Sequence, residues 1–194
     1  YKRQHKYGVR IPTSIDHAMI IDREDKNHLW ENYLNKEMGK AKVAYEEVKG
    51  CTKEEVRKGE VDSLKGFTEI RCHVIFDVKM DFTRKARFVA DGSKTQTPVA
   101  VCYSSVVSRE SVRLAFLVAA FHEIDVFSCD ISNAYLNAPC RERIWFVAGA
   151  ECGSHVKGKV MKLVRALYGL KSSGASWRKM FKDYIVSKMG FEPS

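Results

Sequence analysis

The stretch that most constrains this sequence is a change of hydrophobic period near its middle. Ile70, Cys72, Val74, Phe76 and Val78 fall on one side of an extended chain, with Arg71, His73, Asp77 and Lys79 on the other. Side chains two apart share a strand face, so this run predicts a half-buried strand. The polar segment 80–84 is short enough for a turn. Lys85-Ala86-Arg87-Phe88-Val89-Ala90 then predicts a second strand, and the two make a hairpin. Its exposed side is expected to carry Lys79, Arg84, Lys85 and Arg87. The plainer reading of those cations is a solvated edge, since charge blunts exposed strands; the sharper one is a phosphate-binding fingertip.

Helical signals flank the hairpin. Thr13-Ser14 offers an N-cap before Ile15, Ala18 and Met19, and a second helix is expected from near Asp25, with Trp30, Tyr33, Leu34, Met38 and Ala41 on one face. Residues 46–65 are charged and have no clean period, which predicts a surface loop or short helix. Ser108 caps a segment whose only charge between Val112 and Phe121 is Arg113; a helix apolar on nearly all sides is expected to be buried. Residues 124–129 predict a short strand that delivers Asp130 at its carboxyl end. Further strands are expected at 143–147 and 160–164. A closing helix carries Trp177, Phe181, Tyr184 and Ile185, with Gly190 as its stop.

Composition narrows the function classes. A hydrophobic share of 45% beside 29% charge argues against wholesale disorder. No apolar run reaches the roughly 18–20 residues of a membrane span, and no apolar leader follows the first residues. The opening on Tyr1 rather than Met is what a fragment would show. The net charge of +9 favours polyanionic partners, because neutralising phosphates releases condensed counterions. Six cysteines lie at long, irregular intervals without a CxxC pair, so they read as reduced, mostly buried thiols of an intracellular protein.

The segment Cys129-Asp130-Ile131-Ser132-Asn133-Ala134-Tyr135-Leu136-Asn137 places a carboxylate at a strand end and an aromatic ring five positions later. A polymerase needs such an arrangement, with a metal-binding Asp near the primer end and a flat side chain under the sugar. From spacing alone, the plainer reading is preferred: an Asp opening a turn and a Tyr in the core.

Four ordered blocks add a resemblance. Phe76-Asp77-Val78-Lys79-Met80 with Lys85-Ala86-Arg87-Phe88-Val89-Ala90 is the first, and Thr97-Pro98 with Tyr103-Ser104-Ser105-Val106-Val107-Ser108-Arg109 is the second. Asp130-Ile131-Ser132-Asn133-Ala134-Tyr135-Leu136 and Arg165-Ala166-Leu167-Tyr168-Gly169-Leu170-Lys171-Ser172 complete the set. From about residue 11 to 191 the sequence resembles the reverse transcriptase domain of copia-type LTR retrotransposons. The resemblance implies an α+β fold, with reverse-transcriptase-like fingers and a partial palm in which an antiparallel sheet packs on helices. It divides the chain into a helical lead-in at 1–66, a fingers-like hairpin and core helix at 67–123, and a partial palm at 124–194.

The same resemblance implies residue roles. Asp130 is the catalytic carboxylate and, with the carbonyl of Ile131, a ligand for Mg²⁺ or Mn²⁺. Lys79, Lys85 and Arg87 hold the triphosphate, Arg87 foremost. Ala134 and Tyr135 contact the nucleotide, Tyr135 as the gate against ribonucleotides. The implied reaction is attack of a primer 3′ hydroxyl on the α-phosphate of a deoxynucleotide, with two metals and an RNA template. The implied partners are template, primer, dNTP and the rest of the Pol polyprotein, without a membrane, in cytoplasmic particles or the nucleus. The family's aromatic-Val-Asp-Asp hairpin does not occur in these 194 residues, so the palm is expected to be truncated before its second catalytic motif. Metal binding is expected only where that motif is present, and polymerase activity is expected to be absent from the chain alone. An open sheet edge is then expected to promote self-association. The alternative is a non-catalytic nucleic-acid-binding or interaction protein, domesticated or decayed from such an element.

Overall fold

The computed structural model describes residues 4–95 and 106–192. Along them run β1 (His5–Lys6), β2 (Val9–Arg10), α1 (Ile15–Glu24), α2 (Leu29–Ala41), β3 (Tyr45–Glu47), α3 (Lys53–Lys58), β4 (Thr68–Glu69), β5 (Cys72–Val78) and β6 (Arg84–Ala90). Then follow α4 (Arg109–Phe121), α5 (Ala134–Asn137), β7 (Ile144–Val147), β8 (Val160–Leu163) and α6 (Ser173–Met189). Helices and sheets are mixed, as expected. The four-stranded sheet runs in the order β3-β8-β7-β4 and is antiparallel except where β4 lies parallel to β7.

The hairpin forms where the period-two pattern places it. β5 and β6 pair in register from Cys72 opposite Ala90 to Val78 opposite Arg84. The turn closes with the Lys79 amide donating to Thr83 and the Asp81 carboxylate accepting from the Thr83 amide. Because opposed residues share a face, Lys85 and Arg87 project with Asp77 and Ile75, whereas Arg84 projects with Val78 on the opposite side. The expectation of Arg84 on the Lys85 face is thus corrected by the register.

The inward face of the hairpin packs on α1 and α2, where Trp30 meets Phe76 edge-on with ring centroids 5.5 Å apart. A larger core joins Leu34 and Met38 of α2 to Phe88, Phe146, Met161 and Leu167. A third cluster, with Trp145, Val56 and Leu64, lies on the far side of the sheet. Within residues 46–65 the short helix α3 forms, one of the two outcomes expected there. Thr52 and Glu55 form a reciprocal capping box at the start of α3, and Gly59 ends it in a left-handed turn.

Three expectations are overturned. The second helix begins at Leu29 rather than near Asp25, because the buried Asp22 carboxylate accepts from the Trp30 and Glu31 amides and so caps it from outside. Helix α4 forms behind the Ser108 cap, but none of its residues is buried, and Leu114, Phe116, Leu117 and Phe121 all face outward. No described element covers it, and an apolar helix is buried only where a second apolar face meets it. Residues 124–129 form no strand, and Phe127 is 90% exposed. A strand needs a hydrogen-bonding neighbour, and none of the described residues supplies one. Of the described cysteines, Cys72 and Cys152 are buried, Cys51 and Cys140 partly buried and Cys129 exposed, so burial is less complete than expected; Cys102 lies outside the described residues, as does the block 97–105.

Candidate functional site

Helix α2 reaches the open edge of β6 through one side chain. Glu37 accepts the Phe88 amide at 3.0 Å, a bond that a strand neighbour would otherwise make. Farther along the same edge, the Ala90 amide donates to the Tyr168 carbonyl at 2.8 Å. The 165–172 segment is held in turn by α6. Ser173 Oγ donates to Leu167, Ser176 Oγ to Pro139, and the Glu142 carboxylate accepts both the amide and the hydroxyl of Ser172.

These attachments leave a cleft of about 450 Å³ between α2, the hairpin and the segment after Asp130. Lys79, Lys85 and Arg87 line one wall, and Asp130 and Ile131 line another. Residues of the first and third sequence blocks therefore open onto one space. Ala134 and Tyr135 do not line it; they begin the short α5, after Asn133 turns the chain with a φ of 54°. Asn accepts this left-handed conformation more readily than most residues. The Tyr135 ring instead packs on Tyr168, centroids 4.7 Å apart, and the other neighbour of Tyr168 is the Arg87 guanidinium, 4.0 Å from its ring centre.

The cleft is electrically unbalanced. Lys36, Lys40, Lys79, Lys85 and Arg87 line it, joined by Arg84 from the other face of β6, with only Glu37 and Asp130 as counterparts among the described residues, and Glu37 is engaged with Phe88. Lys36, Lys40 and Lys79 form no ion pair among the described residues. Partial burial, and then the nearby Arg87 and Lys79 cations, hold the Lys85 ammonium below the usual lysine range. Asp130 likewise has no hydrogen-bond or ion-pair partner among the described residues. Such a space suits a polyphosphate.

The sequence reading missed Lys36 and Lys40. They lie four apart on α2, and their spacing was a visible signal of a shared face. A second cleft, about 990 Å³, lies on the other side of the hairpin. It is larger, but its charges are mixed and Lys6 is paired with Asp77 at 2.6 Å, so it carries no comparable demand for an anion.

Mg²⁺ commonly takes one or two carboxylates and completes its shell with water and phosphate oxygens. The Asp130 carboxylate and the Ile131 carbonyl are the groups of this cleft that could hold such an ion. They do not suffice for two, and no group of three or more His, Cys, Asp or Glu side chains converges among the described residues. Asp183 does not supply a further ligand here, since it is ion-paired with Lys179 along α6 at 2.8 Å.

Comparison with known proteins fits this geometry. Residues 60–194 match the family described as Reverse transcriptase (RNA-dependent DNA polymerase). The Transposon Ty1-BL and Ty1-DR4 Gag-Pol polyproteins of Saccharomyces cerevisiae are each 33% identical over 125 residues, 63% of this chain. The chain spans only 7% and 8% of those polyproteins. No solved structure matches it. The four sequence blocks, the match across residues 60–194 and the Ty1 relatives agree: this chain belongs to the reverse transcriptase (RNA-dependent DNA polymerase) family, in its copia-type retrotransposon branch.

Proposed function

We propose that this chain is the nucleotide-holding portion of a retrotransposon reverse transcriptase, serving RNA-directed DNA synthesis within a longer Pol polyprotein. The observation that carries the reading is the shared cleft of Asp130 and Ile131 with Lys79, Lys85 and Arg87. In it the three hairpin cations take the triphosphate, and Asp130 with the Ile131 carbonyl holds a Mg²⁺ ion against it. Tyr135, which does not itself line the cleft, acts on the sugar across the Tyr168 ring that it packs against and disfavours a 2′ hydroxyl. RNA template and primer approach along the basic surface. The three segments 1–66, 67–123 and 124–194 act as lead-in, fingers and partial palm, in an intracellular particle or the nucleus. With one free carboxylate in the cleft among the described residues, the chain alone is expected to lack polymerase activity.

Calorimetric titration with dATP tests this. Binding is expected without metal, strengthened by Mg²⁺, with the Mg²⁺ increment lost in Asp130→Ala and the metal-free part weakened in Arg87→Ala. A chain that binds no triphosphate at millimolar concentration would sink the reading. Primer extension that disappears in Asp130→Ala would show that the chain is active after all.

The excess of cations in the cleft also favours a second reading, a nucleic-acid-binding protein without catalysis. Salt-dependent affinity for a primed template, with no affinity for free dATP, would select it.

A further inference from the structure

Tyr168 enters the sequence reading only as part of a block, yet among the described residues its ring touches both the hairpin cation Arg87 and Tyr135, five positions after Asp130. Its ring centre lies 4.0 Å from the Arg87 guanidinium carbon and 4.7 Å from the Tyr135 ring, tilted at 46°. Its backbone is fixed independently of its side chain. Val89 and Tyr168 form a parallel bridge, and the Ala90 amide donates to the Tyr168 carbonyl. Gly169 follows with a φ of +95°, packed so closely on the Ala90 carbonyl that no side chain fits. Tyr168 lines the cleft wall and Tyr135 lies behind it.

Guanidinium over an aromatic face is an electrostatic contact that strengthens as water leaves the site, and it restricts the long arginine side chain to one geometry. The tilted ring pair holds Tyr135 in the same way. We propose that Tyr168 is a positioning residue. It fixes Arg87 for the triphosphate and Tyr135 for the sugar in one stack, so that phosphate binding and sugar discrimination are coupled. This inference rests on the triphosphate reading above.

The test compares dATP and ATP binding to the full chain in wild type, Tyr168→Phe and Tyr168→Leu, by calorimetry. Tyr168→Phe keeps the ring and is expected to retain both affinities within about twofold. Tyr168→Leu is expected to weaken dATP binding roughly tenfold and to lower the dATP-to-ATP preference, since Tyr135 loses its support. A purely structural role would move melting temperature without moving that preference. Arg87→Ala and Tyr168→Leu combined are expected to weaken binding no more than about twofold beyond either alone, because they break one shared contact. The Arg87 side-chain NMR resonances, shifted by ring current in wild type, should remain so in Tyr168→Phe and relax in Tyr168→Leu. A Tyr168→Leu variant that leaves the Arg87 shifts, the affinity and the preference unchanged overturns this inference while leaving the triphosphate reading intact. A wild-type chain that binds neither nucleotide overturns both.

Discussion

Lys85 carries its charge against the preference of its surroundings. Its depressed pKa means that the folded chain binds fewer protons than the unfolded chain between the two values. The penalty is present in full below the folded value and disappears as pH rises toward about 10.4, the ordinary lysine value. Lys85→Met is therefore expected to raise the melting temperature at neutral pH, with the gain shrinking by about pH 10, while triphosphate affinity falls severalfold. Scanning calorimetry at several pH values and dATP titration check the two halves. Asp22 is buried, 4% exposed, and both its oxygens serve the amides that open α2. Asp22→Ala is expected to lose about 2 kcal/mol of stability in urea unfolding, and Asp22→Asn less. Ser14, Ser108 and Gly190 were legible as caps because each adjoins its own helix in sequence. Asp22 was not, since its partners lie eight and nine residues away, and only folding brings them together.

Among the elements, the hairpin was the most legible. Its alternation survives folding almost unchanged, because the period of a strand is set by local geometry. Only Arg84 was misplaced, since a register cannot be read from one strand alone. Helix α4 and residues 124–129 show what sequence pattern leaves out: an apolar pattern states that a face wants a partner, not that one is present. The exposed row Leu114, Leu117, Val118 and Phe121 is expected to bind the dye ANS strongly. Leu114→Gln with Phe121→Gln should cut that fluorescence while moving the melting temperature by no more than about 2 °C, because neither side chain is buried in the fold. A large drop in melting temperature would show instead that α4 is packed in solution.

At the scale of the molecule, the net charge of +9 was visible at once, but its placement was not. Composition cannot say that Lys36 and Lys40 of α2 face Lys79, Lys85 and Arg87 of the hairpin across one cleft. If a single strand of nucleic acid runs through it, the logarithm of affinity should fall linearly with the logarithm of salt concentration. Lys36→Glu with Lys40→Glu should then reduce that slope by about 1.4, the value for two phosphate contacts to a single strand. Filter binding between about 50 and 200 mM salt measures it. The Gly92–Gly169 contact bears on how this cleft can move. A Cβ on Gly92 would strike the Gly169 carbonyl, and one on Gly169 would strike the Ala90 carbonyl, so two backbones meet there with nothing between them. The hairpin is thus a lever welded at its root. Of the three hairpin cations, Arg87 stands nearest that weld, three residues from Ala90, and Lys79 stands farthest from it, beside the turn.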